Sequence, residues 1–244
     1  MLYWIYSLEN MGDEMQNKNL SESISDRIKQ RIIVGEYAVG SQLPNEQELS
    51  ESLNVSRTTI REAVKLLVSR HVLEIERGRG TFVAAIPGLS DDPFGLEFVS
   101  ESILKPNLCL FRAIVEPGVC ALAAANASTH QLEDMAQQVD RMNEISRLVV
   151  DSSIDEWIDE FIDQEIAFHT LIYKMTHNVV FERMTDIISR SVIINSTALN
   201  YRQAFDFSKY TEIHTALYHA IASKDPDRAK ACGYEHMATF NSFL

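Results

Sequence analysis

Cysteine, glycine and proline are scarce in this sequence, with 3 Cys, 9 Gly and 6 Pro among 244 residues. The three cysteines, Cys109, Cys120 and Cys232, are odd in number and widely spaced in apolar segments. This argues against a disulfide framework and favours a reducing cytoplasm. With 45% hydrophobic residues, so little glycine and proline argues against a fibrous or disordered chain and favours compact, helix-rich structure.

Long apolar runs are missing as well. No run approaches the roughly 20 residues that a membrane-spanning helix needs, so we expect no membrane partner. The apolar residues 1–6 are few, have no basic flank and are followed by Glu9, unlike a secretory signal. Met11 and Met15 are alternative starts, and residues 1–19 are interpreted as an N-terminal extension.

A surplus of basic residues is absent too, since the net charge is −13. Residues 20–88 hold nine basic and nine acidic residues, whereas residues 89–244 hold twelve basic and 23 acidic ones. The acidity therefore belongs to the second half, and a neutral first half can bind DNA if its basic residues share one face. The length predicts two domains, at roughly 100 to 200 residues each.

Three helices are predicted in the first half. Apolar residues recur every fourth position over Leu20–Ile32, and the pattern ends at Gly35. Asn45 with Glu48 forms a capping box for a second helix, and Ser56 caps a third. The residues of the third helix that face inward are Ile60, Val64, Leu67 and Val68.

The exposed start of the third helix carries side chains suited to DNA. An arginine fork matches the two acceptors of guanine in the major groove, and threonines reach phosphates or a thymine methyl. Arg57 and Arg61 lie four residues apart on one face, beside Thr58. This pattern is typical of a recognition helix, although two arginines on a helix alone equally fit a solvated face.

A wing is predicted after this helix. The segments 73–76 and 81–83 alternate as short strands, joined by a turn of sequence Arg-Gly-Arg-Gly over 77–80. Glycines allow the backbone close to DNA, so Arg77 and Arg79 could contact phosphates or the minor groove.

The segments 43–46, 55–63 and 78–83, read in this order, closely resemble the GntR family of bacterial regulators. The resemblance covers Leu20–Val83 and implies a winged helix-turn-helix. Family members often carry arginine at Gln47 and glycine at His71, so Gln47 is expected to shift base preference or weaken a phosphate contact. The DNA contacts that the resemblance implies are Arg57, Thr58, Thr59, Arg61, Arg79 and Gly80.

The second half reads as helical throughout, which predicts an antiparallel all-helical bundle and a mainly α protein. Residues 20–88 form the DNA-binding domain, 89–106 a linker region with a short helix over 94–103, and 107–244 the bundle. Ser128 with Gln131 makes a capping box. The predicted helices are 110–126, 132–149, 154–175, 180–201, 210–223 and 226–243.

Four residues of the bundle suggest a metal site. Glu165 and His169 lie four apart on one helix, and His214 and His236 lie on two helices that fold back antiparallel. One carboxylate and three imidazoles suit a divalent transition metal such as zinc or nickel, with positions open for a ligand. By spacing alone, the alternative is a surface hydrogen bond between Glu165 and His169.

The segments 112–117, 168–178 and 212–236 resemble the FCD ligand-binding domain of the FadR subfamily. The resemblance implies an acid, usually aspartate, at Glu165, the three histidines as metal ligands, and a small organic or sugar acid as effector. The guanidinium of Arg112 would bind that acid beside the metal. The alternative for Arg112 is an ion pair with Glu116.

We therefore expect a homodimer that binds a palindromic operator and responds to an acid at the metal. Repression is the commonest mode that the resemblance implies, with activation as the other. Two rival classes are a metal-dependent enzyme and a DNA-binding protein without an effector.

Overall fold

Helices account for most of the computed structural model, which describes residues 20–90, 92–151, 157–198 and 207–241. The chain divides into two units between Pro93 and Phe94. The N-terminal unit has three helices and a two-stranded antiparallel sheet: α1 (Leu20–Ile33), α2 (Glu46–Leu53), α3 (Arg57–Ser69), β1 (Leu73–Glu76) and β2 (Gly80–Val83).

The predicted helix caps of this unit are confirmed. Asn45 Oδ1 accepts from the backbone N–H of Glu48 at 3.0 Å, and the Glu48 carboxylate accepts from the N–H of Asn45 at 2.9 Å. Asn54 ends α2 in the left-handed conformation with φ 54°, and Ser56 then caps α3. These contacts fix the angle between α2 and α3, while α1 packs against α3 over a core containing Ile28.

The C-terminal unit begins with a 3₁₀ turn at Leu96–Phe98 and is otherwise helical in its described residues. The longest helix, α4, packs against α6, α8, α9 and α10, and α9 also packs against α5. The predicted Ser128–Gln131 cap is confirmed by reciprocal hydrogen bonds of 2.9 and 3.2 Å. The helices are α4 (Glu101–Asn126), α5 (Thr129–Asp151), α6 (Ile158–Met175), α7 (Val179–Arg183), α8 (Thr185–Ala198), α9 (Phe207–Ala222) and α10 (Pro226–Asn241).

The predicted short helix over 94–103 is wrong, because the structure has a 3₁₀ turn at Leu96–Phe98 there, and two bounds of longer predicted helices are wrong as well. Helix α4 begins at Glu101, inside the predicted linker, because Leu104 and Leu108 pack with Ile187. Their burial outweighs the backbone hydrogen bond that Pro106 cannot donate. The second wrong bound is that of one continuous helix predicted over 180–201. In the structure this helix is interrupted at Met184, whose N–H donates to the carbonyl three residues before it. The predicted residues 154–156, 199–201 and 242–243 lie outside the described ranges.

Helix α4 is long and apolar enough to cross a membrane by length and composition, contrary to the expectation that no such run exists. Its 18-residue window has a mean hydropathy of 1.7, and half of that window is buried inside the protein. Arg112 and Glu116 are buried on the face that packs against the other helices. We interpret α4 as the core helix of the bundle.

Candidate functional site

The N-terminal end of α3 presents Arg57 and Thr58 to solvent. Thr59 is half-buried, and its role is partly structural. Its N–H donates to Ser56 Oγ at 3.1 Å, and the two hydroxyl oxygens lie 2.9 Å apart. The Thr59 hydroxyl therefore belongs to the helix cap, whereas Arg57 and Thr58 extend outward from it.

Arg61 lies one turn further along α3 and is held by an acidic residue of α2. Its Nε donates to Glu46 Oε1 at 3.1 Å, and its Nη2 donates to Glu46 Oε2 at 2.7 Å. The hydrogen bond from Arg61 lowers the pKa of Glu46. Sequence analysis did not assign Glu46 to this surface, since a first-turn acid of one helix gives no sign of which arginine of the next it will contact.

The wing turn exposes Arg77 and Arg79. The Arg79 guanidinium donates to Glu76 and lies 5.4 Å from the centre of the Phe82 ring. The Arg79 carbonyl accepts from Gln42 Nε2 at 2.6 Å, which ties the turn to the segment before α2.

The backbone conformation of Gly80 favours glycine, and a side chain there would also displace the Gln42 amide. The φ of Gly80 is +127°, and a Cβ there would lie 2.4 Å from Gln42 Nε2. A groove of about 430 Å³ lies between α3 and the wing, with Arg61, Lys65 and Arg77 among its lining residues. Two of the predicted basic side chains, Arg61 and Arg77, thus border one concave surface.

The two departures from the family pattern have different structural settings. Gln47 is exposed, and its Nε2 donates to Glu51 at 3.1 Å. His71 is exposed with φ 54°, the left-handed conformation that glycine adopts most readily. His71 therefore occupies a backbone position that favours glycine, which agrees with the glycine that family members often carry there.

In the C-terminal unit, three helices bring the four predicted metal-binding residues together. Glu165 and His169 lie on α6, His214 on α9 and His236 on α10, and each is at most 2% exposed. One ring nitrogen from each histidine lies within 4.8 Å of the others. The Nε2 atoms of His214 and His236 are 3.0 Å apart.

The lone pairs of His214 and Glu165 converge on the same point. His214 Nδ1 donates to the Tyr210 carbonyl at 2.8 Å, so Nε2 is the bare nitrogen of the neutral ring. That nitrogen lies 3.0 Å from Glu165 Oε1, which accepts no hydrogen bond from any described residue. A buried carboxylate oxygen facing a bare imidazole nitrogen suits a cation between them.

Outer partners orient these groups. The Tyr210 hydroxyl donates to the other oxygen of Glu165. Glu116 Oε2 lies 3.6 Å from His169 Nδ1 and 3.9 Å from His236 Nδ1. In a metal site, the ring nitrogen of a histidine that does not bind the ion commonly lies next to a carboxylate that holds the ring in place. Glu116 has this position relative to the Nδ1 atoms of His169 and His236.

Arg112 is fully buried and makes the ion pair with Glu116 that was the alternative considered for it, together with a contact to His169 that was not predicted. Its Nε donates to Glu116 Oε1 at 2.5 Å, and its Nη2 lies 3.1 Å from His169 Nε2. Burial opposes the charge of Arg112, but attraction to Glu116 prevails and raises its pKa. Burial, with Arg112 nearby, lowers the pKa of His169, and burial with His214 nearby lowers that of His236. Both histidines are therefore neutral at pH 7, as metal ligation requires.

Sequence analysis missed Tyr210 as part of this site and gave Glu116 only as a partner of Arg112. Each lies four residues from a residue that was identified, Tyr210 before His214 and Glu116 after Arg112. That spacing places each pair on one helix face. This i, i+4 spacing is the sequence signal that could have assigned Tyr210 and Glu116 to the site.

Comparisons with known proteins agree with the fold. Residues 20–83 match the family described as "Bacterial regulatory proteins, gntR family", and residues 107–239 match the FCD domain. The solved structure of a Streptococcus agalactiae GntR protein aligns with a TM-score of 0.74 and 28% identity, over 90% of this chain and 98% of that chain.

Two relatives from Escherichia coli (strain K12) align over nearly their whole length. The galactonate operon transcriptional repressor is 28% identical over 228 residues, 91% of this chain and 95% of the relative. The Glc operon transcriptional activator is 27% identical over 246 residues, 96% of this chain and 91% of the relative. These proteins regulate transcription, which sets the enzyme alternative aside. The chain belongs to the GntR family of bacterial regulatory proteins, DNA-binding regulators of transcription, and carries an FCD domain.

Proposed function

We propose that this regulator is a repressor whose operator affinity is controlled by a small organic or sugar acid, bound at a divalent metal in the FCD domain. Zinc or nickel suits the donor set of Glu165, His169, His214 and His236. The observation that carries this proposal is a cluster of three buried imidazoles in which His214 Nε2 lies 3.0 Å from a Glu165 oxygen that accepts no hydrogen bond from any described residue.

A bound divalent ion would supply a positive centre with positions open to the oxygens of an acid. The chain itself supplies a second cation, Arg112, held in place by Glu116. In the structure Arg112 Nη2 lies 3.1 Å from His169 Nε2. A hydrogen bond to that nitrogen and metal ligation through it exclude each other, because the nitrogen has one lone pair. We infer that metal loading releases this amino group of Arg112 toward the carboxylate of the acid.

The metal half of the proposal is tested by metal analysis after purification with zinc or nickel. We expect about one ion per chain in the wild type and a large loss in His214→Ala. His219→Ala is the matched control, because His219 is exposed on the same helix. Equal metal content in the wild type and His214→Ala would reject the site.

Loss of the metal is expected to destabilise the FCD domain. A ligand present at 100 times its dissociation constant stabilises the native state by about 2.7 kcal/mol, and chelation removes this contribution. Thermal unfolding followed by Trp157 fluorescence, in a Trp4→Phe background, should show a lower midpoint after chelation. The same treatment should leave His214→Ala unchanged, and an equal shift in both proteins would contradict the assignment.

The second half of the proposal, control by an acid, is tested by binding measurements. One relative is named for a galactonate operon, so D-galactonate is the first acid to test on this chain. An operator can be selected from random duplex DNA with the metal-loaded protein. We expect an acid of this class to weaken operator binding only when metal is present. If no organic or sugar acid changes either operator affinity or thermal stability, the alternative of a regulator without an effector is preferred.

For the DNA-binding half, we infer a homodimer on a palindromic operator, with recognition helices in successive major grooves. An exposed apolar stripe on α4 favours self-association: Ile103, Leu110 and Ile114 are 59–70% exposed on the face opposite Arg112. The residues that we infer to contact DNA are Gln47, Arg57, Thr58, Thr59, Arg61, Arg77, Arg79 and Gly80.

A further inference from the structure

The Tyr173 hydroxyl is a buried polar group without a hydrogen-bond partner among the described residues. The whole side chain is 1% exposed, and its ring packs edge-on against Phe181. A hydroxyl removed from water without a partner costs free energy, so such groups are uncommon in folded proteins. Phenylalanine would fill the same space without that cost, which indicates that the hydroxyl has a function.

The position of Tyr173 relates the hydroxyl to the proposed effector site. Tyr173 follows His169 by four residues on α6, which places the two side chains on one helix face. Burial raises the pKa of Tyr173, Glu116 raises it further, and Arg112 opposes the rise. Glu116 Oε2 lies 3.6 Å from His169 Nδ1, one helical turn before Tyr173, so Tyr173 lies on the face of α6 that packs against the Arg112–Glu116 pair, and its hydroxyl keeps its proton at physiological pH values.

We propose that the Tyr173 hydroxyl is a specificity-determining group that binds the 2-hydroxyl of a 2-hydroxycarboxylic acid at the site of Arg112 and Glu116. The inference rests on the proposed function, which supplies the acid. Arg112 would bind the carboxylate of the acid, and the 2-hydroxyl would then fall beside it. Tyr173 would donate to the oxygen of that hydroxyl, and Glu116 would accept its proton in a hydrogen bond.

The arrangement explains discrimination between acids. An acid without the 2-hydroxyl leaves the Tyr173 hydroxyl and the Glu116 oxygen without their ligand partner in a dry site. A binding site built to hydrogen-bond a hydroxyl rejects the analogue that lacks it, because its polar groups stay unpaired. Arg112 and the metal alone would recognise any small carboxylate.

The experiment compares acids that differ only by the 2-hydroxyl. The probes are L-lactate and propionate, L-malate and succinate, and D-galactonate and 2-deoxy-D-galactonate, each titrated into zinc-loaded full-length protein. In the wild type we expect the hydroxy acid of at least one pair to bind roughly three- to tenfold more tightly than its partner, the contribution of one net hydrogen bond. In Tyr173→Phe that ratio should fall to about one, with the affinity for the deoxy acid unchanged.

The control is Tyr234→Phe, which removes an exposed hydroxyl from α10 and should keep the wild-type ratio. Tyr173→Phe should unfold at the same or a higher temperature without ligand, since it removes an unpaired buried group. If wild-type protein binds both acids of every pair equally, or if Tyr173→Phe keeps the wild-type ratio, the Tyr173 assignment is overturned while the effector site stands. If neither the hydroxy acids nor their partners without the 2-hydroxyl bind, both the Tyr173 assignment and the proposed function are rejected.

Discussion

At the scale of single residues, the proposed DNA-binding surface contains arginines in different electrostatic settings. Arg57 extends into solvent, whereas the Arg61 fork is bound at both oxygens of Glu46. Such a fork is oriented before DNA arrives, so less side-chain entropy is lost on binding. Glu46 also brings a negative charge close to where phosphates would lie, which opposes non-specific binding.

We expect Arg57→Ala and Arg61→Ala each to weaken operator binding roughly fivefold or more, because each removes a fork suited to guanine. Arg70→Ala is the control, since Arg70 is exposed at the opposite end of the same helix and does not line the groove between α3 and the wing. Gel-shift titration at fixed salt measures the effect. Undiminished operator binding by both arginine variants would show that α3 is not the recognition helix.

Glu46→Gln is expected to raise affinity for non-operator DNA and to lower the ratio of operator to non-operator affinity. The substitution removes the negative charge and one of the acceptors that orient Arg61. Glu62→Gln is the matched control, because it removes the same charge from an exposed residue of α3 that pairs with Lys65. Competition titrations with random DNA measure the ratio. A ratio that falls equally in both variants would mean that general charge, rather than the Glu46–Arg61 contact, sets it.

At the scale of elements, the FCD domain depends on the close approach of α4 and α10. Gly233 on α10 lies against α4, where a Cβ would come 2.9 Å from the Cα of Pro117 and 3.3 Å from Cys120 Sγ. Arg112 and Glu116 are on α4, and His236 follows Gly233 by three residues. The glycine therefore helps to set the distance between the histidine and its outer carboxylate.

We expect Gly233→Ala to destabilise the FCD domain by roughly 1–3 kcal/mol, since backbone must shift to admit the methyl group. The chain offers a matched control in Gly118, which is also helical and has no heavy atom within 4 Å of an added Cβ. Gly118→Ala should be neutral or stabilise by roughly 0.5–1 kcal/mol. Urea unfolding measures both, and equal effects of the two substitutions would contradict the packing argument.

At the scale of the whole molecule, function requires two copies if the operator is palindromic. The stripe of Ile103, Leu110 and Ile114 lies on the face of α4 opposite the buried Arg112. This single helix would then contact the second copy on one side and the effector on the other. A shift of α4 on effector binding would reach the dimer without an intermediate element.

If the proposed dimer forms through this stripe, we expect Ile114→Glu to make the protein monomeric and to weaken operator binding, because it places a charge within the apolar stripe. Val179→Glu is the control, since Val179 is similarly exposed, at 60%, on α7. Light scattering coupled to size-exclusion chromatography measures the mass. A dimer that survives Ile114→Glu would place the interface elsewhere.

The sequence by itself determined what depends on neighbours along the chain. Capping at Asn45, Ser56 and Ser128 sets where α2, α3 and α5 begin, because each cap is completed within three or four residues. The i, i+4 spacing of Glu165 and His169 likewise predicted a shared helix face.

The tertiary structure alone decided what depends on how helices pack. Helix α4 includes Pro106, although local propensity predicts a helix boundary there, because Leu104 and Leu108 of the same helix are buried. Glu46 meets Arg61, and Glu116 approaches His169 and His236, only because separate helices pack at particular rotations. For the same reason the Tyr173 hydroxyl is buried without a hydrogen-bond partner in the part of the chain that the structure describes. Spacing along a chain fixes the face of one helix, whereas side-chain packing fixes which faces meet.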